Sequence, residues 1–199
     1  SDLAEEIDSY LETLFPIHRS LTGEGNRESL RILSHIAPIE IMEYPCGEKV
    51  FDWTIPPEWK VRDAWIKNPA GEKVVDWRDN NLHVVSYSES VQAKMTFDEL
   101  APRLHYLSEN PSAIPYRTSY YNRSWGFCVS ESQFRGMQEA GGTFEVYIDS
   151  DLDPNGSMSI GEIKVAGRRK EEFLISTYIC HPSMANDNLS GMLTTALLA

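Results

Sequence analysis

Leu3, Ile7, Tyr10, Leu11 and Leu14 recur at helical spacing up to Pro16, and predict an amphipathic helix from Asp2 to Phe15. Beyond the loop PIHRSLTGEG, a second helix is expected from Asn26, read as its N-cap, through Leu30 and Leu33 to Ile36, with Pro38 closing it. IEIMEY then alternates as a strand. From Glu48 to Glu145 the texture changes to short runs such as DAWIKN, EKVVDW and NLHVVSYS, separated by turn signals at 68–71 and 79–81. One helix, TFDELAPRLHYL, is expected inside this stretch, because Thr96 is followed three residues later by Glu99 in the pattern of a capping box. TFEVYIDS and SIGEIKV read as two arms of a hairpin about DLDPNGS. FLISTYIC is nearly continuous in apolar residues, as expected of a strand buried on both faces. HPSMANDN reads as a loop, and SGMLTTALLA as the opening turns of an apolar helix.

Helix, strand and strand-loop-helix at the two ends, with a β-rich, aromatic-rich middle, predict an α/β fold interrupted by an insertion. The expected division is a discontinuous α/β domain over 1–48 and 146–199, and a β-rich inserted domain over 49–145. A chain of 199 residues with 41% hydrophobic and 11% aromatic residues has material for a core, which excludes a disordered chain.

Acidic residues outnumber basic ones by 30 to 18, a net charge of -12. This argues against nucleic acid and against anionic membranes as partners, since both need clustered Lys and Arg. Cys46, Cys128 and Cys180 share no CxxC spacing, so neither a disulfide framework nor a cysteine-rich zinc site is indicated. With an acidic, helix-like beginning and no apolar run of membrane-spanning length, a cytoplasmic protein is expected.

His181 directly follows the expected buried strand, and Asp187 lies six residues on, just before the terminal helix. Ligands collect at the carboxyl ends of strands in open α/β sheets. An imidazole and a carboxylate suit zinc, and the carboxylate has a second oxygen with which to bridge another ion. The alternative is plain: His181 and Pro182 make a turn while Asp187 caps the helix.

Other features have blander readings. Asp149, Asp151 and Asp153 superficially resemble a calcium loop, but Pro154 and Ile160 stand where its glycine and glutamate belong, so a turn is preferred. Trp53, Trp59, Trp65, Trp77 and Trp125, with Tyr116, Tyr120 and Tyr121, suit either a β-domain core or a sugar-binding face. Cys180 beside His181 invites a thiol-protease reading, yet neighbours on a strand point to opposite faces, and the pair is not expected to meet. His18, His35, His83 and His105 have no ligand-like spacing, and His18 shares its loop with Arg19, Thr22 and Gly23.

The runs LFPIHRSLTGEGNR, IPYRTSYYNRSWGFCVS and STYICHPSMANDNLSG resemble, in order and over essentially the whole chain, a bacterial aminopeptidase-like family of largely uncharacterised function. That family is similar to the zinc aminopeptidases related to leucyl aminopeptidases, with a β-rich domain inserted into the phosphorylase/hydrolase-like peptidase fold. The resemblance implies that His181 and Asp187, the latter followed by Asn188, bind one or two zinc ions, and that the Asp187–Asn188 peptide is cis. Ser183 stands where the peptidases carry an aspartate that orients the histidine, so that partner is absent or supplied from elsewhere. The remaining ligands and a glutamate general base are expected beyond Ala199, which makes this a partial domain with an incomplete catalytic site. Apolar surface left uncovered by such a truncation would drive self-association into a homo-oligomer. The implied activity is zinc-dependent removal of an amino-terminal residue from a peptide, or hydrolysis of an aminoacyl or other amide group on a small substrate. Relatives often accompany surface-polysaccharide genes. The competing expectation is a non-catalytic module that binds a glycan or a protein on a peptidase-like fold.

Overall fold

The computed structural model describes residues 3–199. Helices α1 (Leu3–Leu14) and α2 (Glu24–Leu33) precede β1 (Glu40–Pro45) and a small ladder of β2 (Lys49–Val50) with β3 (Trp53–Thr54). Strands β4 (Glu58–Lys67), β5 (Lys73–Asp76) and β6 (Val91–Thr96) follow, then α3 (Phe97–Leu100), β7 (Leu104–His105), β8 (Phe127–Cys128), α4 (Glu131–Ala140) and β9 (Thr143–Asp153). After β10 (Ser157–Glu162) a long irregular stretch leads through a π-type turn, Ala185–Leu189, into α5 (Ser190–Leu197).

The chain divides into two compact units, 1–58 with 154–199, and 59–153. The expected boundaries at 48 and 146 therefore move to 58 and 154. The reason is local hydrogen bonding: Gly47 and Ile55 clasp through Gly47 N to Ile55 O at 2.8 Å and Ile55 N to Glu48 O at 2.9 Å, which keeps 49–58 with the outer unit. At the other junction β9 is laddered to β6 over its first half, from Thr143↔Thr96 to Ile148↔Val91, and stays with the middle unit.

In the outer unit the apolar stripe of α1 forms from Ile7 onward as the periodicity predicts, while Leu3, its expected first member, is 59% exposed. Ile7, Tyr10, Leu11 and Leu14 pack with Leu33 of α2 and with Leu189, Met192, Leu193 and Ala196 around α5. Each leucine buried there contributes ~1.5–3 kcal/mol before the entropy of ordering it. The second helix is capped by Gly23, three residues before the expected Asn26, and ends at Leu33, short of the expected Ile36. Asn26 lies inside α2, where its side chain donates to Ser20 O at 2.7 Å and accepts from Ser20 N at 3.3 Å, closing the loop before the helix.

β10 pairs antiparallel with β1, from Glu40↔Glu162 to Pro45↔Ser157, and not with β9. The expected hairpin about DLDPNGS is thus overturned, although those residues do turn the chain. Gly156 makes the turn possible: a Cβ there would lie 2.3 Å from the Cβ of Glu58.

The middle unit is built on a sheet of order β5-β4-β9-β6. Phe144, Val146, Ile148 and Ser150 of β9 are buried in strict alternation. The Thr96 to Glu99 capping box forms, but α3 stops at Leu100, with Pro102 in the following 3-10 turn and then β7, so the expected helix to Leu107 is cut short. α4 was not expected. Its Ser130 and Gln133 form a second capping box, and the ring of its Phe134 stands 5.3 Å from that of Phe97.

The largest departure is FLISTYIC. Residues 173–180 pair with no strand among the described residues, and Phe173 and Leu174 are 96% and 93% exposed. A buried strand requires neighbours on both edges to take its backbone groups, and none of the described strands flanks it. The structure is accordingly mixed α/β, and among the described residues no helix is long and apolar enough to cross a membrane.

Candidate functional site

His181 and Asp187 lie on the irregular segment between Tyr178 and α5. Tyr178 brackets the two: its hydroxyl donates to Asp187 Oδ1, and its ring centroid is 5.4 Å from that of His181. The next residue, Asn188, donates from Nδ2 to Thr177 Oγ1 and to Tyr178 O at 3.3 Å, tying the turn before α5 back to 177–178. Gly191 leaves room for this side chain, since a Cβ there would sit 2.1 Å from Asn188 Oδ1. The Asp187–Asn188 peptide is cis, and both residues have non-helical angles inside the turn.

The His181 backbone is held from the other end of the chain. Arg19, 1% exposed, donates from Nε to His181 O at 3.0 Å and from Nη1 to Leu14 O at 2.6 Å. Ser183 Oγ donates to Phe15 O at 3.1 Å, and Ser183 takes a left-handed φ of 42° there. Ser183 thus binds backbone and does not orient the imidazole.

Contrary to expectation, Cys180 Sγ lies 3.1 Å from His181 Nδ1. The opposite-faces argument fails because this segment is not a strand. Burial pushes the Cys180 thiol up, with the Asp187 charge adding to the effect, and pushes the His181 imidazole down against the opposing pull of Asp187. Both shifts favour neutral thiol and neutral imidazole, the reverse of the ion pair a thiol protease needs. Tyr178 is raised above the usual phenol range, first by its hydrogen bond to Asp187.

A neutral imidazole with a carboxylate beside it is a donor set that fits zinc. Among the described residues, no group of three or more His, Cys, Asp or Glu is placed to hold a metal, so these two would be a partial ligand set.

Several other candidates have partners within their own sheet or core. Arg62 pairs with Asp149 and Asp151, and Lys60 lies 4.0 Å from Asp153, so the aspartates of the calcium-like run are matched by cations of the neighbouring strand. Trp59 is buried, donates to Ser88 O at 2.9 Å and stacks on Tyr87 at 5.8 Å, a core arrangement. Trp65 and Tyr147 stack at 5.1 Å on half-buried strand positions, with Lys67 Nζ 4.5 Å from the Trp65 ring. His83 is buried with Nδ1 2.7 Å from Cys128 O, and burial lowers it. His18 is lowered to about 4 by burial, with the adjacent Arg19 charge adding to it.

Sequence reasoning missed Arg19 and Tyr178. Both sit in the runs that carry the family resemblance, but spacing alone gives no sign that residues 162 positions apart meet.

Residues 58–151, nearly coextensive with the middle unit, match a family described as a domain of unknown function (DUF2172). Over 199 residues the chain is 47% identical to a protein of Clostridium acetobutylicum named "Putative polysaccharide biosynthesis protein with aminopeptidase-like domain". It is 48% identical to a solved structure titled as a putative peptidase from Clostridium acetobutylicum, with a TM-score of 0.93 over 98% of this chain. The chain spans 45% of the first relative's length and 46% of the second chain's. Its fold is that of the matching part of this solved structure.

Proposed function

We propose that the chain carries part of the active site of a zinc-dependent aminopeptidase or related amide hydrolase, in a leucyl aminopeptidase-like domain with the DUF2172 region inserted. The observation that carries this reading is the convergence of His181 and Asp187 on Tyr178, on a loop fixed from two sides. His181 and Asp187 hold zinc, and residues other than these 199 complete the ligand set and supply the general base. When bound, zinc supplies Lewis-acid polarisation of the scissile carbonyl. Tyr178, within hydrogen-bonding reach of Asp187, fixes the carboxylate and borders the substrate. The name of the polysaccharide-biosynthesis relative supports an amide on a modified sugar as the substrate, ahead of a general peptide.

The test is zinc content and amide hydrolysis by the full-length protein beside its His181→Ala and Asp187→Ala variants, with aminoacyl anilides and N-acyl amino sugars as substrates. Stoichiometric zinc that is lost in both variants is the expected result. A full-length protein without specific zinc sinks the reading. It would leave the glycan-binding module, for which the half-exposed Trp65–Tyr147 pair beside Lys67 is the supporting feature.

A further inference from the structure

Arg19 is a buried guanidinium that forms no ion pair with a carboxylate among the described residues. Its hydrogen bonds go to two backbone carbonyls, Leu14 O and His181 O, and to Ser29 Oγ at 3.4 Å, while Nη2 is buried with no hydrogen-bond partner. Burial lowers it to about 10, so it remains a cation at neutral pH. An arginine in this position is costly for stability alone, since a buried charge is disfavoured unless well paired.

What the guanidinium supplies is geometry. Leu14 is the last residue of α1, and its carbonyl belongs to the helix end, where the final turn lacks intrahelical donors. No basic residue lies in that last turn, so Arg19 is the cation that answers the negative end of the helix dipole. The planar fork then reaches the His181 carbonyl from another edge. Two residues on, Ser183 is bonded to Phe15 O. The loop is therefore fastened on both sides of Pro182 to successive carbonyls, 14 and 15, at the carboxyl end of α1.

We infer that Arg19 is the positioning residue of the His181 loop, fixing the backbone from which the imidazole projects. This rests on the zinc-hydrolase reading for its consequence, and on the hydrogen bonds alone for its geometry.

The experiment uses the full-length protein with Arg19→Met, Arg19→Lys and Ser183→Ala. Zinc affinity is measured by competition with a chromogenic chelator, local opening by amide hydrogen exchange of peptides covering 180–187, and folding by circular dichroism. Arg19→Met is expected to weaken zinc at least about tenfold, the range for losing an outer-shell partner, and to speed exchange in 180–187. Arg19→Lys keeps the charge but not the fork, and is expected to behave likewise. Ser183→Ala cuts the second fastening at a half-buried hydroxyl and is expected to speed the same exchange less. A merely structural role predicts a lower melting temperature with unchanged zinc affinity of the folded protein. Should Arg19→Met not fold, Arg19→Lys decides. Folded Arg19 variants with wild-type exchange in 180–187 overturn the inference, whether or not zinc binds. A wild-type protein without zinc instead overturns the hydrolase reading and leaves exchange to judge Arg19.

Discussion

Arg27 grips Glu58 with both arms of its guanidinium, Nη1 to Oε1 at 3.0 Å and Nη2 to Oε2 at 2.8 Å, and Glu58 is 3% exposed. Ser157 N donates to the same carboxylate at 3.0 Å, so α2, the start of β4 and the start of β10 meet on one buried charge. Replacing Arg27 with Met removes the cation that grips this buried carboxylate, at an expected cost of roughly 3–5 kcal/mol in denaturant unfolding. A loss below 1 kcal/mol would show that the pair is not fully formed.

His18 gives a pH signature. Its folded value of about 4 lies below the ordinary histidine value of 6.5, so the unfolded chain binds the proton more readily between those limits. The neutral imidazole's contribution is present above pH 6.5 and is lost as pH falls toward 4. Melting temperature is therefore expected to fall across that window, and His18→Leu to flatten the slope. An unchanged slope would mean the imidazole stays solvated in the fold.

Gly191→Ala tests the Asn188 contact. The added methyl would meet Asn188 Oδ1 at 2.1 Å and push the side chain off Thr177 and Tyr178, offsetting the better helix propensity of alanine. A net loss of about 1–2 kcal/mol in thermal unfolding is expected, by the cost of overpacking. A stabilised variant would show that the Asn188 tether contributes little.

Much of this fold was legible where a local signal decides the outcome. The α1 stripe, the Thr96 capping box and the strand character of TFEVYIDS required only neighbours within one turn or one pleat. The Ser130 to Gln133 box of α4, with Gly141 at its C-cap, is an equally local signal set inside a stretch dominated by turns. What local pattern cannot give is pairing. β9 and β10 look like a hairpin because they are adjacent in sequence, yet β10 finds β1 more than a hundred residues away. His181 and Asp187 were singled out by resemblance, and the structure brings both to Tyr178. The contacts of Arg19 and Tyr178 depend on the tertiary path of an irregular loop, which carries no period.

The exposed FLIS run makes a prediction about association. Phe173 and Leu174 touch water over nearly their whole surface, in a window rich in β-forming residues and free of proline. Phe173→Ser with Leu174→Ser is expected to change the stability of this 199-residue chain by less than about 0.5 kcal/mol while reducing concentration-dependent light scattering. A large stability loss would mean that the two side chains are buried.

Gly156 against Glu58 also bears on the order of folding. Residues 59–153 depart from the outer unit and return to it at one spot, where the Ser157 amide meets the Glu58 carboxylate. Bringing together the ends of a flexible loop of that length costs about 4 kcal/mol in closure entropy on a logarithmic scale, before its constant part. A middle unit that folds first removes that cost, because it hands β10 to β1 as though the two were joined by a short turn. In that order of events the ladder of β10 with β1 would close a short loop instead of a long one.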